Sequence, residues 1–382
     1  MGELSWAAVR ARRMTRQGLG TEPYDGGPAD VVRAMCGAHA QVMPAAELSV
    51  GLRLAAATRD DVRAALWDER VLVKTIGMRG TVHLFASGEL AMWTAALSAV
   101  PASSPFPPGV RLTDEQADAV VAAIGKALAD AELTVDELGE AVVDLAGSWA
   151  GDLVMPAFQD LWPRWRQAIG TAAARGALCF GPDRGRKVTY TSPRRWVRGF
   201  EPADPDAALA DVVRRYLRAY GPATPEHFAR WFGAPRRWAA DALDRLGDEL
   251  EQVVVAGNDA WQLAGEGDPG DDAVEGVRLL PYFDAYVIAA QPRELLFPGR
   301  AAERALARGQ AGNYPVLLVD GEAAGVWHLR RSGRRSTVTV EPLRRLTAAR
   351  RKALDEQVAR IAEFSAGPAE LVIGEITVGP HA

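Results

Sequence analysis

The strongest constraint in this sequence is a change of hydrophobic period that occurs three times in the same order. Residues 45–57 carry apolar side chains at helical spacing, and Thr58 with Asp61 three positions later makes a capping-box pattern for a second helix over 60–68. Residues 71–75 and 81–85 then alternate as two strands around a turn at 77–80. The order returns with a helix over 115–129 and a Thr134/Glu137 capping pair opening a helix over 136–146. A helical pattern over 155–175 follows, then strands at 177–180 and 188–191 around a turn at 181–187. In the third copy helices are predicted over 210–220, 225–232 (after Thr224 as N-cap) and 236–246. A hairpin of 252–255 and 260–263 about Gly257-Asn258 closes it.

Helices followed by a β-hairpin is the winged-helix order, and three such strings in a row predict an array. The competing reading is an α+β chain whose segments share no architecture. A Gly/Asp-rich stretch at 265–272 leads to a different pattern: strands at 277–280, 316–319, 325–330 and 336–340, a helix over 347–365 and a last strand at 369–373. The predicted class is α+β. Three winged-helix units would occupy 1–110, 111–200 and 201–265, with a C-terminal α/β unit over 275–382.

Composition narrows the function classes. Apolar residues make 48% and charged residues 24% of the 382, the balance of an ordinary globular chain. Arg10, Arg12, Arg13 and Arg16 interrupt the N-terminus, which lacks the apolar run of a signal peptide, and no stretch is long and apolar enough to span a bilayer. A cytoplasmic protein with no membrane partner is expected. Cys36 and Cys179 form no disulfide framework, and Cys36 with His39 supplies only two of the four ligands a structural zinc needs. Neither metal nor cofactor is expected.

The net charge of −5 does not itself favour nucleic acid, but the charges are segregated. Carboxylates gather at 114–118, 130–144 and 241–251, and cations in turns at 184–187, 194–198 and 330–335. The segment Gly181-Pro182-Asp183-Arg184-Gly185-Arg186-Lys187 is not a phosphate loop. Its glycines are wrongly spaced and Val188 stands where Ser or Thr is required, so Arg184, Arg186 and Lys187 read as a basic wing. Arg331, Arg334 and Arg335 tip the later hairpin, which is either a solvated turn or a contact to phosphate or minor groove.

Familiar hydrolase, kinase and paired-histidine zinc signatures are absent, and there are five histidines: His39, His83, His227, His328 and His381. Several pieces spread over the chain share a resemblance. Leu4-Ser5-Trp6 with Arg10, Arg12, Arg13 and Gln17-Gly18-Leu19, then Gly37-Ala38-His39-Ala40-Gln41-Val42-Met43, Met78-Arg79-Gly80-Thr81-Val82-His83-Leu84 and Leu279-Leu280-Pro281-Tyr282-Phe283-Asp284-Ala285-Tyr286 resemble segments of the AlkZ/YcaQ-type bacterial DNA glycosylases. The resemblance implies winged helices around a DNA-binding concavity and a catalytic segment at His39 and Gln41. Histidine stands at His39 where that family's segment has its first glutamine, and Gln41 keeps the second.

The chemistry such a pair can do is limited but sufficient. A purine alkylated at N7 or N3 is already cationic and leaves without a strong acid. The enzyme then exposes the nucleotide, stabilises an oxocarbenium-like sugar and positions a water. Gln41 can hold that water and His39 can take its proton. A continuous helix would splay the two residues by ~200°, so the preceding helix is predicted to end near Gly37 or His39. From pattern alone His39 is better explained as a capping or core histidine, which the resemblance reverses, and Gln41 is explained as a turn amide. His83 is either a buried structural residue or a DNA contact. Arg79 is a DNA-contact candidate because Gly80 permits close approach, and Asp284 is a cap or tie for the C-terminal unit, with a catalytic role as the lesser alternative. The expected protein is a monomeric, monofunctional glycosylase acting on double-stranded DNA with alkylated purines, in repair or in self-resistance to a genotoxin. The alternative is a non-catalytic winged-helix regulator.

Overall fold

A computed structural model describes residues 2–157, 160–267, 275–289 and 291–380. The expected 265–272 linker lies partly, and His381 wholly, outside them. The fold is α+β.

The chain opens with β1 (Glu3–Leu4) and α1 (Trp6–Arg16). The next stretch holds α2 (Pro28–Ala34), β2 (Ala38–His39), α3 (Met43–Gly51), α4 (Arg59–Trp67), β3 (Leu72–Ile76), β4 (Val82–Ala86) and α5 (Leu90–Ser98). α4 starts where the capping box predicts: the Asp61 amide donates to Thr58 Oγ1 at 3.3 Å, and the Thr58 amide donates to Asp61 Oδ2 at 2.7 Å. α3 is shorter than the 45–57 pattern and ends at Gly51.

The second stretch runs α6 (Asp114–Leu128), β5 (Glu132–Thr134), α7 (Val135–Ala146), β6 (Leu153–Pro156), β7 (Leu161–Pro163), α8 (Ile169–Ala174), β8 (Cys179–Arg184), β9 (Lys187–Thr191) and α9 (Pro193–Trp196). The helix expected over 155–175 is corrected here. β6 and β7 form an antiparallel ribbon pairing Met155 with Trp162, followed by a 3-10 turn over Arg164–Ala168. Pro156 and Pro163 lack the amide a helix interior needs, which forbids the longer helix. The Trp162/Trp165 spacing is therefore not a buried helical face. Trp165 is buried, whereas Trp162 is 40% exposed beneath the Arg166 guanidinium.

The third stretch is α10 (Pro205–Tyr220), α11 (Pro225–Phe232), α12 (Arg236–Asp244), β10 (Leu250–Val255) and β11 (Asn258–Leu263). The C-terminal part contains β12 (Val277–Leu280), α13 (Ala285–Ala289), α14 (Arg293–Leu296), α15 (Arg300–Ala305), β13 (Val316–Val319), β14 (Glu322–Ser332), β15 (Arg335–Pro342), α16 (Ala348–Phe364) and β16 (Ala369–Ile373). Its strands form one sheet in sequence order, antiparallel except for β15/β16, which α16 connects in parallel.

Three small sheets repeat one topology. Their orders are β2-β4-β3, β5-β9-β8 and β1-β10-β11, with Ala223 bridging β11 at Trp261 in the last. In each, a very short segment between helices lies beside the second hairpin strand. These short segments carry no periodicity and escape the sequence pattern.

Packing wedges the first stretch between the third and the C-terminal part. Trp93 of α5 shares an apolar cluster with Tyr216, Tyr220, Phe228 and Trp231. Leu48 and Val50 of α3 share another with Leu279, Leu317, Trp327 and Phe364. Each such side chain contributes about 1.5–3 kcal/mol on burial, so these are firm junctions. The second stretch keeps its own cluster around Val120, Ile124, Leu138 and Trp165. β1 pairs with β10, and Met14 and Leu19 enter the cluster of the C-terminal part.

Candidate active site

α2 stops at Ala34 because Cys36 and Gly37 take positive φ of 54° and 96°. Glycine is required at 37: a Cβ there would lie 2.6 Å from Phe85 Cε1. The chain leaves extended. β2 pairs Ala38 with Leu84 and His39 with His83, and the Ala40 amide donates to the Val82 carbonyl at 2.7 Å. Ala38 and Ala40 are buried, so strand alternation turns His39 and Gln41 to the opposite, more open side. The helix end near Gly37 is thus observed, and the two side chains share a face. Gln41 Oε1 accepts from the Val82 amide at 3.4 Å, which leaves the NH2 of the side chain able to donate.

Rings fix the imidazole of His39. It lies against Phe283, centroids 4.6 Å apart and tilted by 31°, and edge-on to His83 at 5.2 Å. His83 stacks on Phe85, and Phe85 on Trp93, so the site is backed by an aromatic row running into the core. Phe283 comes from the far C-terminal part. It adopts φ 56°, and its amide donates to the Gly312 carbonyl at 3.1 Å. The strained backbone is held by the next residue. Asp284 is fully buried, accepts from both terminal nitrogens of Arg53 at 2.8 and 2.9 Å, and takes the Ser49 hydroxyl at 2.6 Å. Asp284 is a tie between α3 and this loop, as its sequence position predicts.

Burial lowers the pKa of His39 to about 4, and the nearby Arg79 charge adds to the effect. His39 is therefore neutral at physiological pH, and its buried Nδ1 has no hydrogen-bond partner among the described residues. His83 is pushed well below the usual imidazole value by burial first, then by Arg79 and His39, while its Nδ1 bonds the Thr81 carbonyl at 2.9 Å. His227 falls to about 4, again chiefly through burial. In the unfolded chain these imidazoles bind protons near pH 6.5, and in the folded protein they resist them. The stability they contribute is complete above about pH 6.5 and is lost as pH falls toward 4. The urea midpoint is expected to drop between pH 7 and pH 5, and less so in His227→Asn; equal midpoints at the two pH values would contradict this.

The cations read from sequence occupy different settings. Arg79 sits on the turn between β3 and β4 with φ 58°, half-buried, and its guanidinium donates to the Trp231 carbonyl. The glycine that permits this approach is Gly233, where a Cβ would lie 2.9 Å from Arg79 Cα; Gly80 faces open space. Arg184 pairs with Glu137 at 3.0 Å and Lys187 with Asp136 at 2.8 Å, so the acids at the start of α7 offset that wing. Arg186 remains exposed at its tip. Arg334 and Arg335 are exposed at the β14/β15 turn. Arg331 donates to Ser365 Oγ at 3.0 Å and lines a groove of about 360 Å³ with Val42, Arg59, Tyr282 and Trp327. The structure thus brings Arg331 beside the segment that carries Gln41. Tyr282 and Phe283 lie in a segment that carries the resemblance, but their meeting with the Gln41 segment is created by packing across more than two hundred residues and has no local signal.

A model of the AlkZ-like DNA glycosylases matches residues 32–364. The chain belongs to the AlkZ-like DNA glycosylase family. A curated relative of this AlkZ-like protein, the interstrand DNA cross-link repair glycosylase of Streptomyces sahachiroi, is 34% identical over 344 residues, covering 85% of this chain and 88% of the relative. The solved structure of the Streptomyces sahachiroi DNA glycosylase AlkZ superposes with a TM-score of 0.81 at 30% identity, covering 97% of this chain and all of the other. No helix of this AlkZ-like protein, among the described residues, is long and apolar enough to cross a membrane.

Proposed function

We propose that this AlkZ-like protein is a monofunctional DNA glycosylase that hydrolyses the N-glycosidic bond of alkylated purines, bulky N7-alkylguanine adducts and crosslinks included. The observation that carries the reading is a neutral His39 against the ring of Phe283, with the exposed Gln41 two residues on, just beyond β2. The three repeated sheets are read as winged-helix units around a DNA-binding concavity, within the boundaries set out above, and the protein as a monomer.

In the reaction the C1′–N9 bond breaks and its electron pair neutralises the cationic base. The water held by Gln41 and His39 bonds to C1′. An imidazole with a pKa of about 4 is a weak base toward ordinary water. Water adding to an oxocarbenium ion becomes strongly acidic, however, so a weak acceptor suffices once the bond has formed. His39 serves first as a hydrogen-bond acceptor that orients the water and takes its proton late. Neutrality at the start also spares the developing sugar cation a neighbouring positive charge.

No lysine amine is needed in this scheme. A duplex with one N7-methylguanine is expected to yield free base and a strand that stays intact until alkali is added; strand cleavage before alkali would overturn the monofunctional reading.

A further inference from the structure

A cavity of about 600 Å³ lies where the β3/β4 turn, α11 and the loops around α13 and α14 meet. Its lining includes Arg79, Arg230 and Arg293 and no carboxylate. Other clustered cations include pairs with acidic partners: Arg59 and Arg63 share Glu47, and Arg214 joins Glu249. Here the guanidiniums meet only carbonyls. Arg79 donates to Trp231, and Arg293 donates to Ile288 at 2.8 Å and to Gly309 at 3.3 Å. Arg230 is exposed, and the buried Nε of Arg293 has no acceptor. Arg79 and Arg293 are both made more acidic by burial, then Arg79 by Arg293 and Arg293 by Arg230. Three like charges converging without a counter-ion destabilise the empty protein, and an anion reverses that.

We propose that Arg79, Arg230 and Arg293 form a clamp for a backbone phosphate of the DNA strand beside the lesion. The inference rests on the glycosylase reading above. Its position supports a phosphodiester next to the reacting nucleotide. Gly309–Ala311 form one wall, and the adjoining Gly312 carbonyl holds the amide of Phe283, whose ring lies on His39. The clamp also has a consequence for catalysis. The charge of Arg79 reaches His39 and opposes a cationic transition state there. A phosphate bound at the clamp neutralises that charge, so the chemistry is favoured only when DNA is seated.

The test measures the affinity of the full protein for a duplex with a central tetrahydrofuran abasic analogue by fluorescence anisotropy, from 50 to 300 mM salt. Arg230→Gln alters an exposed side chain and is expected to weaken binding about tenfold at low salt and to reduce the slope of log K against log salt by about one. Arg230→Gln/Arg293→Gln is expected to reduce the slope further. Arg351→Gln, on the exposed side of α16, serves as the charge-matched control. An unchanged slope in Arg230→Gln, or an equal loss in Arg351→Gln, overturns the clamp. Excision of N7-methylguanine by the wild-type protein is scored separately. Excision with an unchanged Arg230→Gln slope removes the clamp alone, whereas no excision with the Arg230 dependence intact removes the glycosylase reading and leaves a phosphate contact.

Discussion

Asp284→Ala is expected to destabilise the protein by about 3–5 kcal/mol, the cost of leaving a buried charge without its partner. Arg53 is fully buried, and the carboxylate of Asp284 receives its bidentate contact. Its Nε donates to the Gln17 carbonyl and its Nη1 also to the Ser49 carbonyl, both at 2.8 Å, so the variant strips Nη2 of its Asp284 acceptor and leaves the buried guanidinium without a counter-charge. Desolvation makes the pair a poor source of net stability while making either half alone very costly. Arg53→Met with Asp284→Leu should therefore recover much of the loss in urea denaturation. The single variant has a second effect, since Asp284 secures the loop that presents Phe283 at positive φ. If Asp284→Ala shifted the urea midpoint no more than an exposed substitution such as Asp241→Ala, the tie would be refuted.

Gln41→Ala is expected to lower the single-turnover rate of base release by about 10²–10³, the usual loss when one preorganised polar group is removed from a reaction centre. His39→Ala should lose about 10²–10⁴, the range for a positioned acid–base group. Because both residues act on one water, the double variant should be little worse than the weaker single one. His39→Gln should retain more activity than His39→Ala, as an amide can still accept from the water. Gln41 is exposed and His39 is half-buried, so both proteins should fold and bind DNA. Additive losses in the double variant would mean that the two residues serve separate steps.

Local features of this fold are readable because their causes are local. Thr58/Asp61 and Thr134/Glu137 set the starts of α4 and α7, and the alternation of 71–75 and 81–85 gives β3 and β4. The segment 155–175 is of a different kind: its apolar residues keep helical spacing, but Pro156 and Pro163 interrupt any helix there. β2 is two residues long, too short to show a period, yet it is the element that carries His39 and ends just before Gln41. Gly37 marks the helix end in the sequence, and its positive φ agrees. Phe283, Arg230 and Arg293 depend on packing between distant segments, so nothing near them in sequence marks their surroundings. The basic wing at 184–187 shows the converse, since a run of cations says nothing of the carboxylates that fold against it.

The central claim is tested most directly by quantifying free base from duplexes carrying defined N7-alkylguanine adducts, small and bulky, with wild-type protein and Gln41→Ala. The account predicts release of the modified base by the wild type, with abasic strand in equal amount, and its near disappearance in Gln41→Ala at unchanged DNA affinity. No release from any adduct, together with tight binding to one undamaged sequence, would contradict it and leave a winged-helix regulator.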